Sequence, residues 1–275
     1  MLKYLKSLLL KLLKSKRNSK KIKYGWIPSK HDPRDLKFSF KMSDAEIPES
    51  VDLTKDMPTA YNQMALGSCT SQAIAASVQF TQIKEDKEHN FMPSRLFIYY
   101  NEREMEGTIN EDAGAQLRDG IKSVNAQGVC TETLYPYIIE KFKEKPPQEC
   151  YDQATLHKAL QYKNIDNTDL NALLSCLASG FPFVFGFMVY SYLESPQMAK
   201  TGILPMPSPG EQRKGGHAVI CCGYDLKKRL FLVRNSWGPE WGLNGYFWMP
   251  FEYMTNPNLC LDFWVITDIS DIVHS

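Results

Sequence analysis

Apolar residues recur at helical spacing in the first half of the chain, whereas the second half holds short, nearly continuous apolar runs. After Cys69, the residues Ala73, Ala76 and Phe80 fall on one face of a predicted helix. Helices are predicted from Cys69 onward, over Pro93–Glu106, over Ala113–Gln127 and over about Asp169–Ser179. Strands are predicted over Phe183–Val189, Ala218–Tyr224, Leu230–Asn235, Gly245–Met249 and Phe263–Ile266. Helices followed by strands indicate an α+β protein with two lobes.

Residues 1–46 lack this regular pattern. Proline and glycine in Tyr24-Gly25-Trp26-Ile27-Pro28 and in Asp32-Pro33-Arg34-Asp35 predict an extended, non-helical chain. We therefore divide the chain into an extension at 1–46, a mainly helical lobe at 47–150 and a mainly β lobe at 151–275. The two lobes are predicted to form one domain with a cleft between them, since 275 residues can bury one large core or two smaller ones.

The start of the chain combines leucines and lysines in a helical pattern. Five leucines between Leu2 and Leu13 lie on one face of a helix predicted over Met1–Lys14, with lysines opposite. Residues 1–24 hold nine lysine or arginine residues and no acid, which leaves a net charge of −8 for the remainder. The basic end is predicted to contact the acidic body, an anionic membrane or nucleic acid, or to remain an undocked tail. Its apolar runs are too short for a membrane span or a signal-peptide core.

The bulk composition excludes several classes of protein. Hydrophobic residues make up 43% of the chain and charged residues 23%, which is ordinary for a globular protein. The sequence contains neither a Cys-x-x-Cys pair nor a phosphate loop of the Gly-x-x-x-x-Gly-Lys type, so no metal and no cofactor are predicted. Seven cysteines, an odd number, do not indicate a disulfide framework and favour a reducing compartment.

Three short segments, far apart in the chain, carry candidate chemistry. They are Gln63-Met64-Ala65-Leu66-Gly67-Ser68-Cys69, Gly215-Gly216-His217-Ala218-Val219 and Arg234-Asn235-Ser236-Trp237-Gly238. A thiol attacks well only as a thiolate, and an imidazole can take the thiol proton and later return one to a leaving amine. A side-chain amide can hold that imidazole in one orientation and tautomer. Cys69, His217 and Asn235 therefore predict a nucleophilic site, in which the thiol gains from a helix N-terminus.

These segments resemble the papain-like cysteine peptidases, the family that includes the cathepsins. The matches are Gln63 six residues before Cys69, Gly67-Ser68 immediately before it, His217-Ala218-Val219, Asn235-Ser236-Trp237-Gly238 and Trp241-Gly242. The separations of 148 residues from Cys69 to His217 and 18 from His217 to Asn235 are about those of the family. The resemblance extends over roughly Ile47 to Trp264 and implies a papain-like two-lobe fold, with the Cys on the helical lobe and the His and Asn on the β lobe.

The resemblance also implies a mechanism and a substrate cleft. Peptide bonds of an extended polypeptide would be hydrolysed through a thioester, with the oxyanion held by the Cys69 backbone N–H and the Gln63 side chain. The substrate-binding residues that the resemblance implies are Gly67, Ser68, Gly114, Ala115, Trp237 and Asp262. Gly114-Ala115 take the place of a Gly-Gly pair that binds the peptide backbone, and Trp237 covers the His–Asn hydrogen bond. If Asp262 faces the main specificity pocket, basic side chains are favoured there.

Several departures from the family pattern refine this interpretation. The family's usual Cys-Trp-Ala-Phe run is here Cys69-Thr70-Ser71-Gln72, as in a microbial or large-virus branch, and this changes the packing behind the nucleophile. Leu66 replaces a cysteine that secreted and lysosomal members pair in a disulfide, so an intracellular compartment or a virion is favoured over secretion. Only some 46 residues precede the mature-like start at Ile47. They are either a shortened inhibitory propeptide, which would make the chain a zymogen, or a tail without a regulatory role.

Three functions of different kinds remain open at this stage. The first is a cysteine endopeptidase, which is favoured over an exopeptidase because the chain lacks the paired histidines of the exopeptidase branch. The second is a hydrolase of isopeptide or other amide bonds that uses the same chemistry. The third is a catalytically silent binding module with the same fold, against which the retention of both Gln63 and Asn235 argues.

Overall fold

A computed structural model describes residues 22–30, 32–85, 88 and 90–271. The helices are α1 Cys69–Glu85, α2 Arg95–Glu106, α3 Leu117–Ala126, α4 Gln148–Ala154, α5 Leu170–Ala178, α6 Pro196–Thr201 and α7 Phe251–Met254. The strands are β1 Ser50–Asp52, β2 His157–Asn164, β3 Phe183–Tyr190, β4 Arg213–Asp225, β5 Leu230–Arg234, β6 Tyr246–Pro250 and β7 Cys260–Asp271. The amphipathic helix predicted for Met1–Lys14, together with its membrane or nucleic-acid contacts, lies outside these residues.

The strands form one antiparallel sheet in the order β2-β7-β3-β4-β5-β6, and β1 pairs with the far end of β4. Successive side chains of a strand point to opposite faces, so β4 contributes to two cores. Its residues Ala218, Ile220 and Cys222 pack in the cluster that contains the helices α1, α2 and α3. Val219 and Cys221 pack in a second cluster on the other face, which is rich in phenylalanine. This arrangement confirms the predicted α+β, papain-like fold.

The helix α1 lies between the helical layer and the sheet, and it positions the candidate nucleophile. Nearly all of its side chains are buried, from Cys69 through Gln82. Small residues such as Ser71, Ala73 and Ala76 allow this close approach, because a helix buried on all sides cannot carry bulky groups everywhere. The start of α1 is thereby fixed against β4, which carries His217.

The structure differs from the prediction at the start of one helix and in five elements that were not predicted, namely β1, β2, α4, α6 and α7. The third helix begins at Leu117 rather than Ala113, because Gly114 has a left-handed φ of 80° and Ala115 pairs with an extended segment instead. The strand β2 was not predicted, since its sequence HKALQYKN alternates poorly and its pairing with β7 contains register shifts. The remaining predicted helices and strands are present with end points shifted by a few residues.

The described residues also show how the chain stands with respect to membranes, metals and disulfide bonds. No helix in the described part of the chain is long and apolar enough to cross a membrane. Within the same residues, no three His, Cys, Asp or Glu side chains come together as a metal site would require. All seven cysteines are buried and carry free thiols.

Candidate active site

The thiol of Cys69 lies at the first residue of α1 and is fully buried. Unpaired backbone N–H groups at a helix N-terminus favour a negative charge, so this position suits a thiolate. In the structure the surrounding protein excludes water from the thiol, and this burial raises its pKa to about 12, against smaller opposing effects of backbone groups at Ala218 and Gly25. The thiol is therefore neutral at physiological pH in this state.

His217 lies on β4 and Asn235 directly follows the adjacent strand β5, and the two form one buried pair. The Nε2 atom of His217 lies 2.8 Å from the Oδ1 atom of Asn235. That same Oδ1 accepts the backbone N–H of Ser236 at 2.8 Å, which fixes the orientation of the amide. Because the accepting oxygen faces the ring, Nε2 carries the proton and Nδ1 is the basic nitrogen. Trp237 stacks on the imidazole with ring centroids 5.3 Å apart, in the covering position that the sequence predicts.

The imidazole is neutral in this state, as the thiol is. Burial lowers the pKa of His217 to about 4, and the hydrogen bond that His217 donates to Asn235 opposes this only in part. The Nδ1 atom has no hydrogen-bond partner within the described residues. Hence the basic nitrogen is available, and burial of both groups disfavours the thiolate–imidazolium charge pair in this state.

Gln63 is held so that its amide N–H₂ group faces the cleft. Its Oε1 atom accepts the hydroxyl of Ser236 at 2.7 Å, and its backbone N–H donates to the Ser236 carbonyl at 2.9 Å. The Nε2 atom donates to the carbonyl oxygens of Leu66 and of Lys23, each at 3.0 Å. A carbonyl from residue 23 therefore occupies the donor that is predicted to bind the oxyanion.

The cleft is filled by a short stretch of the extension, which we call the plug and define as residues 23–29. Tyr24 places its ring against His217, with centroids 5.8 Å apart, and its hydroxyl donates to Glu194 at 2.7 Å. Gly25 is buried and passes so close to Gly67 that a Cβ at residue 25 would lie 1.7 Å from the Gly67 carbonyl oxygen. Only glycine fits at residue 25 in this path.

The predicted backbone pair Gly114-Ala115 binds this plug. The Ala115 N–H donates to the Gly25 carbonyl at 2.8 Å, and the Ala115 carbonyl accepts from the Ile27 N–H at 3.0 Å. The pairing of Trp26 with Ala115 is parallel. A Cβ at Gly114 would lie 2.1 Å from the Gly25 carbonyl oxygen, so a glycine is required there as well. The alanine at residue 115 leaves both backbone groups usable, as the sequence predicts.

Trp26 fills a pocket whose inner end carries Asp262. Its ring lies over Gly186 and Gly216, where an added Cβ would approach ring atoms to 1.9 and 2.8 Å. Its Nε1 donates to an Asp262 carboxylate oxygen at 3.0 Å, and the Ser29 N–H donates to the same oxygen at 2.7 Å. Burial raises the pKa of Asp262, and these hydrogen bonds oppose the shift. Asp262 thus faces the pocket rather than solvent.

The two residues before Cys69 have different surroundings. Gly67 lines the cleft, and its N–H donates to Asp112 at 3.0 Å. The hydroxyl of Ser68 is fully buried and lies 2.5 Å from the hydroxyl of Tyr137, on the side of the loop that faces away from the plug. A substrate in the cleft would therefore meet Gly67 and not the Ser68 side chain.

Sequence reasoning missed the residues that fill or support the cleft. Tyr24 and Trp26 were read only as part of an extended segment, although a glycine between two aromatic residues is a usable signal for a close passage between surfaces. Ser236 lies within one of the three candidate segments but has no role predicted from sequence, and Tyr137 lies outside all three. Their hydroxyl partners depend on the tertiary fold, so spacing alone gives no sign of them.

Comparisons with known proteins agree with this geometry. The profile of the papain family of cysteine proteases matches residues 47–260. An uncharacterized peptidase C1-like protein of Acanthamoeba polyphaga mimivirus is 43% identical over 90% of this chain and 88% of its own length.

Solved structures give the same result. Xylellain, a cysteine protease from Xylella fastidiosa, is similar with a TM-score of 0.83 and 42% identity over 90% of this chain and 96% of that one. Procathepsin B from Trypanosoma congolense shares the fold, with a TM-score of 0.68 and 17% identity over 90% and 86% of the two chains. The chain belongs to the papain family of cysteine proteases and is a peptidase of the hydrolase class.

Proposed function

We propose that the protein is an endopeptidase in which Cys69 is the nucleophile, His217 the general base and acid, and Asn235 the residue that orients the imidazole. The observation that carries this proposal is the buried His217–Asn235 hydrogen bond of 2.8 Å, with the unprotonated Nδ1 left available beside the start of α1. A thiol needs an unprotonated ring nitrogen to accept its proton. By accepting from Nε2, Asn235 keeps Nδ1 unprotonated and fixes the orientation of the ring.

Each step of hydrolysis then has an assigned group. His217 Nδ1 takes the thiol proton, and the Cys69 sulfur attacks the carbonyl carbon of a peptide bond. Gln63 Nε2 and the Cys69 N–H stabilise the resulting oxyanion. The C–N bond breaks as His217 returns the proton to the leaving amine, which gives a thioester. Water, deprotonated by His217, then attacks the thioester, and the thiol leaves with the proton.

We also propose that residues 1–46 inhibit this site through the plug. The support is that the plug engages the groups a substrate needs: the Gln63 amide, both backbone groups of Ala115 and the pocket of Asp262. The Trp26 N–H also donates to the Gly216 carbonyl at 3.0 Å, next to His217. A tethered segment competes at high effective concentration, so these few contacts are enough to exclude substrate.

The ionisation of the site agrees with a closed, inactive state. With the plug in place, burial keeps both the thiol and the imidazole neutral. Departure of the plug would return water to the cleft and remove much of the desolvation that shifts these two pKa values. The thiolate–imidazolium pair, which the catalytic cycle uses, would then form.

We further propose that Asp262 sets a preference for substrate side chains that donate hydrogen bonds. Its carboxylate already accepts the indole N–H of Trp26 in this pocket. Lysine and arginine carry such donors together with a positive charge, so the partly buried carboxylate would bind them best.

The first test is covalent labelling with an epoxide inhibitor of thiol peptidases, read by intact mass on wild type and on Cys69→Ala. We expect one adduct on wild type and none on the variant. Folded wild type without an adduct, after removal of residues 1–46, would favour a catalytically silent binding module. A labelled enzyme that cleaves isopeptide-linked substrates but no linear peptide would assign the second alternative.

Self-inhibition is tested by Gly25→Ala in the full-length chain. A methyl group at residue 25 collides with the Gly67 carbonyl, so the plug cannot remain in its path and hydrolysis of a short peptide should rise. The matched control is Ile27→Ala, because the Ile27 side chain in the same segment is exposed. Equal activity of wild type, Gly25→Ala and Ile27→Ala would remove the proposal of inhibition while leaving the peptidase assignment intact.

A further inference from the structure

The two groups proposed to bind the oxyanion belong to one short loop. Gln63 supplies its side chain, and Cys69 supplies its backbone N–H six residues later. Within the loop, the backbone holds itself together by one bond, from Leu66 N–H to the Gln63 carbonyl at 3.3 Å, and Met64 has a left-handed φ of 54°. Donors to an oxyanion must lie about 2.7–3.1 Å from the oxygen, so contacts from outside the loop must hold the two groups in register.

A chain of side chains behind the loop makes such contacts. The Tyr137 hydroxyl donates to the Gln63 carbonyl at 3.0 Å and lies 2.5 Å from the Ser68 hydroxyl. Because the single tyrosine proton is used on Gln63, Ser68 must donate to Tyr137. Ser68 in turn accepts from the Gln72 Nε2 atom at 3.3 Å. Three hydrogen bonds in one direction thus run from Gln72 to Gln63.

An ion pair anchors this chain at two of its members, Gln72 and Tyr137. The Oε1 atom of Gln72 accepts from Arg95 at 3.2 Å, and Arg95 is paired with Glu132 at 2.6 Å. Glu132 also accepts the backbone N–H of Tyr137 at 2.9 Å, and the guanidinium lies 4.3 Å from the centre of the Tyr137 ring. The arginine charge polarises the hydrogen bonds toward Gln63, and bonds in such a series strengthen one another.

From this closed network we infer that Tyr137 is a positioning residue, which holds Gln63 and Cys69 at the separation that oxyanion binding requires. The inference rests on the proposed peptidase mechanism and goes beyond it. Gln72 is essential to the network and stands where the family usually has the phenylalanine of its Cys-Trp-Ala-Phe run. This chain therefore supports its nucleophile from behind with a polar network in place of an aromatic side chain.

Two reactions of Cys69 separate positioning from other roles. Hydrolysis of a peptide passes through an oxyanion, whereas alkylation of the thiol by iodoacetamide displaces iodide from a saturated carbon and forms none. Both reactions require an open cleft and a thiolate. Both rates are measured on full-length protein at one pH, and the ratio of hydrolysis to alkylation in each variant is compared with that of wild type, so that a fall in this ratio reports loss of the oxyanion donors.

The experiment compares full-length wild type with Tyr137→Phe and with the control Tyr224→Phe. Each variant loses one tyrosine hydroxyl that donates to a backbone carbonyl at 3.0 Å, that of Gln63 or that of Pro48. We expect kcat/KM for a peptide substrate to fall about 10-fold in Tyr137→Phe, mainly in kcat, since loss of a whole donor costs more than this. Its iodoacetamide rate should stay within about 2-fold of wild type, and Tyr224→Phe should change neither rate.

A second variant breaks the same chain at another link and guards against misfolding of the first. Ser68→Ala should give the same selective loss, and the double variant should be no worse than either single one, because residues that act as one unit are not additive. Unchanged hydrolysis in Tyr137→Phe, or equal loss in hydrolysis and alkylation, would overturn the inference. A wild type that is alkylated but hydrolyses no peptide would instead remove the mechanism on which it rests, and the inference with it.

Discussion

The loop between Gln63 and Cys69 is contacted on two sides by groups of different kinds. On the cleft side, the plug contacts the loop through the Lys23 carbonyl, and its neighbouring backbone groups bind elsewhere in the cleft, the Gly25 carbonyl to Ala115 and the Trp26 N–H to Gly216. On the rear side, side chains such as Tyr137 form specific hydrogen bonds that end at an ion pair. Any extended peptide can make the first kind of contact, whereas only this set of residues can make the second.

The contacts on the cleft side must exchange when a substrate binds, whereas the contacts on the rear side must persist. A substrate can replace the plug on the cleft side because it offers the same backbone groups in an extended strand. In the rear network Ser68, Gln72 and Arg95 are buried, whereas Tyr137 and Glu132 are partly buried. Breaking one link leaves polar groups without partners at a cost of about 1–3 kcal/mol each. We therefore expect changes on the cleft side to alter chemistry or access, and changes at the rear to alter geometry.

The largest effect is expected from the reacting atoms themselves. Cys69→Ala should reduce peptide hydrolysis to the uncatalysed level while leaving the fold and peptide binding nearly intact, because it removes one sulfur at a helix start and adds no strain. Circular dichroism and binding of an uncleaved peptide provide the controls. Turnover near that of wild type would mean that Cys69 is not the nucleophile.

His217→Ala should be about as damaging, since the thiol and imidazole act as one unit. Asn235→Ala should be milder and should lower kcat more than it raises KM, because the ring keeps its place under Trp237 and loses only its fixed orientation. Steady-state kinetics on one peptide give both values. A fully active Asn235 variant would contradict its orienting role.

The residues of the proposed catalytic site could be named from sequence because such chemistry needs particular residue types at near-fixed spacing. Helix α1 was equally clear, since helical periodicity follows directly from Cys69. The plug and the rear network were not predictable, because they join residues far apart in sequence, such as Trp26 with Asp262 and Gln63 with Tyr137. Those contacts are decided by the tertiary fold, and no local pattern encodes them.

The next largest effect is expected from removing residues 1–46. The truncated chain should hydrolyse a short peptide at least about 10-fold faster than full-length protein, because a tethered blocker acts at roughly millimolar effective concentration. Added salt should activate the full-length chain more than the truncated one, since residues 1–24 are strongly basic and the remainder carries a net charge of −8. Equal rates of the two forms at low and high salt would mean that the extension is a tail or a targeting segment and not an inhibitor.

The pH dependence of thiol reactivity tests whether the plug controls the ionisation of Cys69 and His217. In the full-length chain, burial raises the pKa of Cys69 to about 12 and lowers that of His217 to about 4, so both groups are neutral between these values. Iodoacetamide should therefore react slowly at neutral pH and faster as the pH rises toward the thiol pKa. The truncated chain should already react at neutral pH, where the charge pair forms. Superimposable profiles would show that the plug does not control ionisation.

The smallest effect is expected at Asp262, where only one charge changes. Asp262→Asn keeps an oxygen for the Trp26 and Ser29 N–H groups but removes the negative charge that strengthens both bonds. Charged hydrogen bonds contribute roughly 0.5–1.5 kcal/mol more than neutral ones, so the plug should open a few-fold more often and full-length activity should rise accordingly.

In the truncated chain the same substitution should lower the preference for lysine and arginine over leucine in that pocket. Matched peptides that differ only at that residue measure this ratio, and an unchanged ratio would place the specificity elsewhere in the cleft.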